Sequence, residues 1–276
     1  MQILIKSLFF DLVLFRALPL HTWVALTLSK YKAVITLLLG GKKTWIVIGG
    51  RRIYCRSISD LGTTVSSLSD EYNHLKRILG VPLNLVIDVG ANIGQFSNAI
   101  RYWYPQANIV AIEADPDTYA RLQENTRYSS VRTINLAISD KRERVEFFRS
   151  DLSVTSGMIK TSNEQICITV AADTLDSVLA TVQKIDLLKI DVEGAELKVI
   201  QGAKATLRAS SYLLLEVSFD RNTSGVTNLD VLTAVRDICP NASIIHTGRK
   251  LGWGADVLAQ DFLIKLDARN DAIRKF

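Results

Sequence analysis

The sequence predicts an α/β protein: a mostly parallel sheet with helices on both faces, preceded by an apolar, basic N-terminal helical and β-hairpin extension. Three observations carry that expectation. From Leu83 onward, short apolar runs of strand length alternate with amphipathic runs at helical spacing, the order that builds parallel sheets. Glycines and acids recur just after those apolar runs, where an open parallel sheet binds its ligands. Residues 1–50 are of a different kind, because Lys6, Arg16, Lys30, Lys32, Lys42 and Lys43 face the single acid Asp11. The expected division is therefore an extension at 1–80 and a main domain at 81–276.

The elements follow in order. Residues 1–20 look like a secretion signal until Asp11 interrupts the apolar core at 8–14, and no small-x-small site follows. Asp11, Arg16, Pro19 and Lys30 also break every window of the about 18–20 apolar residues that a spanning helix needs. Two readings stay open for residues 1–43: helices packed on the main domain or on a second subunit of a homo-oligomer, and a basic amphipathic segment in peripheral contact with an anionic membrane. Residues 44–56 read as two β runs around Gly49-Gly50. Residues 70–79 read as a helix with Tyr72, Leu75, Ile78 and Leu79 on one stripe. Strands are expected at 85–89, 109–113, 131–137, 185–190, 212–217, 243–246 and 262–266. Between them, Phe96, Ile100 and Trp103 mark one helix, Asp115-Pro116 starts another, Leu197, Ile200 and Leu207 mark a third, and Leu229, Leu232, Val235 and Ile238 a fourth that Pro240 ends.

Composition narrows the function classes. With 276 residues, 48% hydrophobic and 22% charged, the chain is neither a disordered tail nor a disulfide-stapled miniprotein. A net charge of +5 is too modest to argue for nucleic acid. Cys55, Cys167 and Cys239 are far apart and odd in number, which reads as buried free thiols in a reducing, cytoplasmic compartment rather than a zinc site or disulfide framework.

Five strand ends carry chemistry. Asp88-Val89-Gly90-Ala91-Asn92-Ile93-Gly94 is a glycine turn that is neither the G-x-G-x-x-G fingerprint nor a P-loop, so it suits a ligand without a pyrophosphate; Asp88 suits an ammonium group. Glu113 can accept both hydroxyls of a ribose, or stand as a solvated strand-end acid. Ile138 can cover a purine ring while Ser139 or Asp140 accepts from its amino group. Asp191, Glu193 and Glu196 can cap a helix, bind a metal or act as general base. Glu216 is an acid inside an apolar run, costly unless paired or facing a cleft.

Taken together, these stretches resemble the FkbM family of S-adenosylmethionine-dependent methyltransferases. The resemblance rests on Val86 to Phe96, Ala111 to Pro116, Asn135 to Asp140, Thr174 to Asp176, Asp186 to Glu196 and Leu213 to Val217, in the family's order. Arg56, Asp60 and Glu71-Tyr72 look like its preceding segment. The resemblance implies the class I methyltransferase (Rossmann-like) sheet of seven strands, the last antiparallel. It implies S-adenosylmethionine held by Asp88, Gly90, Asn92 and Gly94 at the methionyl end, by Glu113 at the ribose and by Ser139 or Asp140 at the adenine. The acceptor it implies is a hydroxyl of a sugar, glycan or related small molecule. Asp191 is the expected base, with Glu193 or Glu216 orienting the acceptor and His246 in reserve; a divalent cation on Asp191 is the alternative way to polarise the hydroxyl. The competing readings are an NAD-dependent oxidoreductase or epimerase, and a binding module without turnover.

Overall fold

The structure, a computed structural model, describes residues 15, 18–69, 73–149, 157–158, 166–218, 226–253 and 256–266. The chain divides into two units: Met1–Pro82, Ile93–Ala107 and Ala120–Val131 form the first, Leu83–Asn92, Asn108–Tyr119 and Arg132–Phe276 the second.

In the first unit, α1 (Leu20–Leu38) starts after Pro19 and buries Thr22, Leu26, Lys30 and Ala33 on one stripe. Strands β1 (Thr44–Ile48) and β2 (Arg51–Cys55) form the expected antiparallel hairpin. Gly49 and Gly50 both have positive φ (52° and 80°), as a two-residue turn matching strand twist requires. Helix α2 (Ile58–Ser69) is an element the periodicity did not announce, because Gly62 and a run of Ser and Thr dilute its apolar stripe. Its start is fixed by the Asp60 carboxylate, which accepts N–H bonds from Arg56 (2.7 Å) and Ser57 (3.2 Å) and pairs with Arg121. Helix α3 (Asn73–Leu79) is the later part of the helix expected at 70–79, whose Tyr72 lies outside the described residues. Gly94, at φ 91°, caps α4 (Gln95–Trp103), which buries Phe96 and Ile100 as its pattern predicts.

The second unit is built on a seven-stranded sheet. Its strands are β3 (Leu85–Val89), β4 (Asn108–Glu113), β5 (Val131–Asn135), β9 (Ile185–Ile190), β10 (Ser210–Ser218), β11 (Ser243–Trp253) and β12 (Asp256–Lys265), in the order β11-β12-β10-β9-β3-β4-β5. β4, β3, β9 and β10 run parallel, and β12 is antiparallel to both of its neighbours. This is the expected doubly wound arrangement with a reversed last strand. Helices α6 (Leu175–Val178), α7 (Glu196–Gln201), α8 (Lys204–Arg208) and α9 (Asn228–Ile238) belong to the same unit. Their apolar residues, Leu175, Val199, Leu207, Val231 and Val235 among them, form one core with Ile87, Leu188, Ile190, Leu213 and Leu215 of the sheet. Each such leucine or isoleucine contributes about 1.5–3 kcal/mol by leaving water.

Several expectations are corrected. The run at 131–137 is not one strand: β5 ends at Asn135, and Ala137–Ile138 is a separate strand, β6, paired with β8 (Ile166–Asp173). With β7 (Glu143–Arg149), which is antiparallel to β8, it makes a second, three-stranded sheet. The helix between β9 and β10 is two helices, broken at Gly202. A Cβ there would lie 2.0 Å from the Ser139 carbonyl oxygen, and the Asp176 carboxylate restarts the chain as α8 by accepting N–H bonds from Ala205 and Thr206. α9 packs Leu232, Val235 and Ile238 on the core as expected, joined by Val231, but Leu229 is exposed. Cys55 and Cys239 are buried free thiols, and burial pushes Cys55 up to about 12, but Cys167 is exposed. No helix among the described residues is long and apolar enough to cross a membrane.

Candidate functional site

The candidate site of the second unit lies at the carboxyl ends of β3, β4, β9 and β10. Asp88 is fully buried on β3, in register with Lys189 of β9. Alternation along the strand puts Lys189 and Asp191 on one side, and the Lys189 Nζ lies 2.7 Å from Asp191 Oδ2 and 3.9 Å from Asp88 Oδ1. Burial by itself would push the Lys189 ammonium down. The Asp191 and Asp88 carboxylates outweigh it and hold the ammonium above the ordinary lysine value. The result is a buried cation between two acids, with one negative charge in excess.

Gly90 makes that juxtaposition possible. Its φ is 77°, and a Cβ there would sit 1.7 Å from the Asp191 carbonyl oxygen. Its small size serves the approach of the β9 exit. Asn92, also left-handed at φ 51°, turns its N–H onto Glu113 Oε2 at 2.9 Å. Glu113 Oε1 accepts the Asp115 N–H at 2.9 Å. Burial pushes Glu113 up to about 7, against the pull of those N–H bonds. Asp115 caps the helix α5 (Pro116–Thr126), as predicted, by accepting the Asp117 N–H. Arg149, at the end of β7, grips the same Asp115 through two bonds of 2.8 and 2.5 Å and reaches Asp117 at 2.7 Å. Gly94 belongs to the first unit, where it caps α4. Ser139 is buried and donates its hydroxyl to the exposed Asp140 carboxylate at 3.0 Å.

Beyond β9 and β10 the structure gathers acids. One carboxylate oxygen from each of Asp191, Glu193 and Glu216 lies within 4.8 Å of the others, a spacing at which three carboxylates can share a divalent cation. Glu216 stands opposite Asp261 of β12 and hydrogen-bonds to it. Burial, then Asp191 and Asp261, hold Glu216 well above the carboxylate range; burial, then Asp191, push Asp261 to about 6. Gly248 of β11 leaves room for Asp261, since a Cβ there would meet the Asp261 Cβ at 2.7 Å. Gly157 packs in the same way over Glu193, whose carbonyl oxygen would lie 2.9 Å from a Cβ there. Glu196 is spent on the turn: it accepts the Gly194 N–H at 2.8 Å, and burial pushes it to about 7.

His246 is not part of this group. It pairs with Leu263, level with Leu214, whereas Glu216 is level with Asp261. That is one pleat repeat, about 7 Å, short of the acids, and two strands away. The strand expected to end at His246 runs on to Trp253 across three register shifts. The sequence reading also passed over Lys189, Asp261 and Arg149. Lys189 carried a visible signal, a lone cation in an apolar strand two residues before an acid. Asp261 and Arg149 did not, since their partners depend on strand register and on a contact 34 residues away in sequence.

The family profile described as Methyltransferase FkbM domain matches residues 88–238. The chain is 28% identical over 196 residues to 2-O-methyltransferase NoeI of Sinorhizobium fredii, covering 63% of this chain and 78% of that protein. It is 28% identical over 145 residues to hexuronic acid methyltransferase AglP of Haloferax volcanii, covering 51% of this chain and 59% of that protein. Among solved structures, P. horikoshii TYW2 in complex with MeSAdo superposes with a TM-score of 0.45 at 14% identity, over 94% of this chain and 98% of that one.

Proposed function

We propose that this chain, which belongs to the FkbM methyltransferase family, transfers a methyl group from S-adenosylmethionine to a hydroxyl of a sugar. Family membership makes it a methyltransferase and sets the oxidoreductase reading aside. The two relatives named for a 2-O-methyl and a hexuronic acid methyl transfer support a sugar hydroxyl as acceptor.

The observation that carries the cofactor assignment is Glu113. Each of its oxygens takes one backbone N–H, which fixes the carboxylate and leaves one lone pair on each oxygen for a vicinal diol. The buried Asp88–Lys189–Asp191 group, with its excess negative charge, suits the positively charged methionyl end. Ser139 and Asp140 offer an acceptor for the adenine amino group. Bound there, S-adenosylmethionine supplies a methyl already activated by its sulfonium.

What remains for the protein is to hold the hydroxyl in line, which is worth up to about 7–11 kcal/mol, and to receive its proton, worth roughly 10²–10⁴ in rate. Asp191, expected as the base, is tied to Lys189 at 2.7 Å and is better suited to orient the acceptor. Glu216, lifted by burial and by its acidic neighbours, is the stronger base when ionised, and Glu193 completes the rim. Calorimetric titration with S-adenosylmethionine tests the first half of this reading. Mass-spectrometric search for a 14-dalton gain on a panel of saccharides tests the second. An absence of heat would remove the cofactor assignment, and binding without methyl gain on any saccharide would remove the acceptor class.

A further inference from the structure

The outward face of α1 is apolar where solvent should favour charge. Leu20, Val24, Leu28, Ile35 and Leu38 form one stripe along it, continued by Leu39, and Leu28, Leu38 and Leu39 are 68%, 72% and 83% exposed. The opposite, buried stripe is the one that carries Thr22 and Lys30. Single exposed leucines are ordinary, but six in line along a helix about 28 Å long are an interaction surface.

The charge carried by this segment is of one sign. Residues 12–59 contain eight lysines and arginines and no aspartate or glutamate. Lys32 is exposed within the stripe, and its Nζ lies 4.4 Å from the Trp45 ring centre, on which Arg52 also stacks at 5.0 Å. Lys42 and Lys43 follow the helix end, and Lys43 meets Glu124. A second copy docked face to face would bring like charges together. Lys32 midway along the stripe, and the lack of a spanning helix among the described residues, suit a helix lying along a surface rather than crossing a bilayer.

We propose that the Leu20–Leu38 helix rests its apolar face in the headgroup region of a membrane rich in anionic lipid, with Lys32, Lys42 and Arg52 against the lipid phosphates. The assignment is independent of the methyl-transfer reading.

The test is co-sedimentation of the full chain with vesicles of mixed phosphatidylglycerol and phosphatidylcholine, and with vesicles of phosphatidylcholine alone. Binding to the mixed vesicles should fall with added salt and drop about fivefold for each of Lys32→Gln and Lys42→Gln. Paired Leu28→Gln and Ile35→Gln should lower it more than tenfold. Because Lys42 is exposed and lies beyond the helix, Lys42→Gln keeps the test decisive should the leucine variant fail to fold. No binding to either vesicle, or equal and salt-insensitive binding to both, would overturn the proposal. So would a dimer in sedimentation velocity that the Leu28→Gln, Ile35→Gln pair dissolves, since the face would then belong to a second copy.

Discussion

Replacing Lys189 with Met removes the ammonium and keeps most of the apolar stem. At an effective dielectric constant of about 20, charges 2.7 and 3.9 Å apart attract by roughly 6 and 4 kcal/mol, most of which the wild type spends on desolvating three buried groups. Removing only the cation leaves Asp88 fully buried and Asp191 beside it without the charge that faces them both. The expected net loss is about 3–5 kcal/mol, read as a lower urea midpoint at unchanged slope. Its pH dependence is the sharper readout. Without Lys189, burial and the closeness of the two carboxylates favour their neutral forms in the folded protein, against an unfolded value of about 3.9. Such groups cost nothing below that value. Their penalty grows as pH rises through the window and is complete above the folded pKa. The deficit of Lys189→Met against wild type should therefore be largest near pH 8 and shrink steadily toward pH 4. A deficit under about 1 kcal/mol, or one constant across pH, would refute the reading of a buried cation neutralising two acids.

Three further outcomes are expected. Gly90→Ala should cost at least about 3 kcal/mol in chemical denaturation, since it adds a clash with Asp191 to a positive φ, whereas Gly50→Ala, with nothing within 4 Å, should show only the backbone strain of about 1 kcal/mol. Cofactor affinity by calorimetry should rise with pH up to about 7 and level off above it, as Glu113 ionises to accept two hydroxyls. Glu113→Gln should abolish that slope and weaken binding by about tenfold or more. Glu216→Gln should leave cofactor affinity intact while lowering turnover by roughly 10²–10⁴, and a full rate in that variant would remove Glu216 as the base.

What could be read from the sequence were features whose cause is local. The Gly49-Gly50 turn, the Asp115-Pro116 helix start and the unbroken apolar strands β3 and β9 each declare themselves within a few residues. Features that depend on distant partners stayed hidden. Nothing near Leu136 marks the exchange of β4 for β8 as pairing partner, and β7, written Glu-Arg-Val-Glu-Phe-Phe-Arg, is too charged to read as an apolar run. The site divided in the same way. Position at or beside a strand end singled out Asp88, Glu113 and Asp191, and the cost of an acid in an apolar run singled out Glu216. Lys189 stands out in the sequence as a lone cation in an apolar strand, but its second partner, Asp88, follows only from the register of β3 with β9. His246 was misplaced because bulges lengthen β11 beyond the length its hydrophobic pattern suggests.

The absent side chain at Gly90 also bears on how such an enzyme can change. With the Asp191 carbonyl filling that space, the turn after β3 and the turn after β9 interlock like two teeth, and a shift of one displaces the other. On the proposed function, a change of acceptor preference built at the Asp191 turn would therefore also disturb the Gly90 turn assigned to the methyl donor. The freer ground is the stretch at Gly157, which bridges to Phe148 of β7 and lies over Glu193 without entering that interlock.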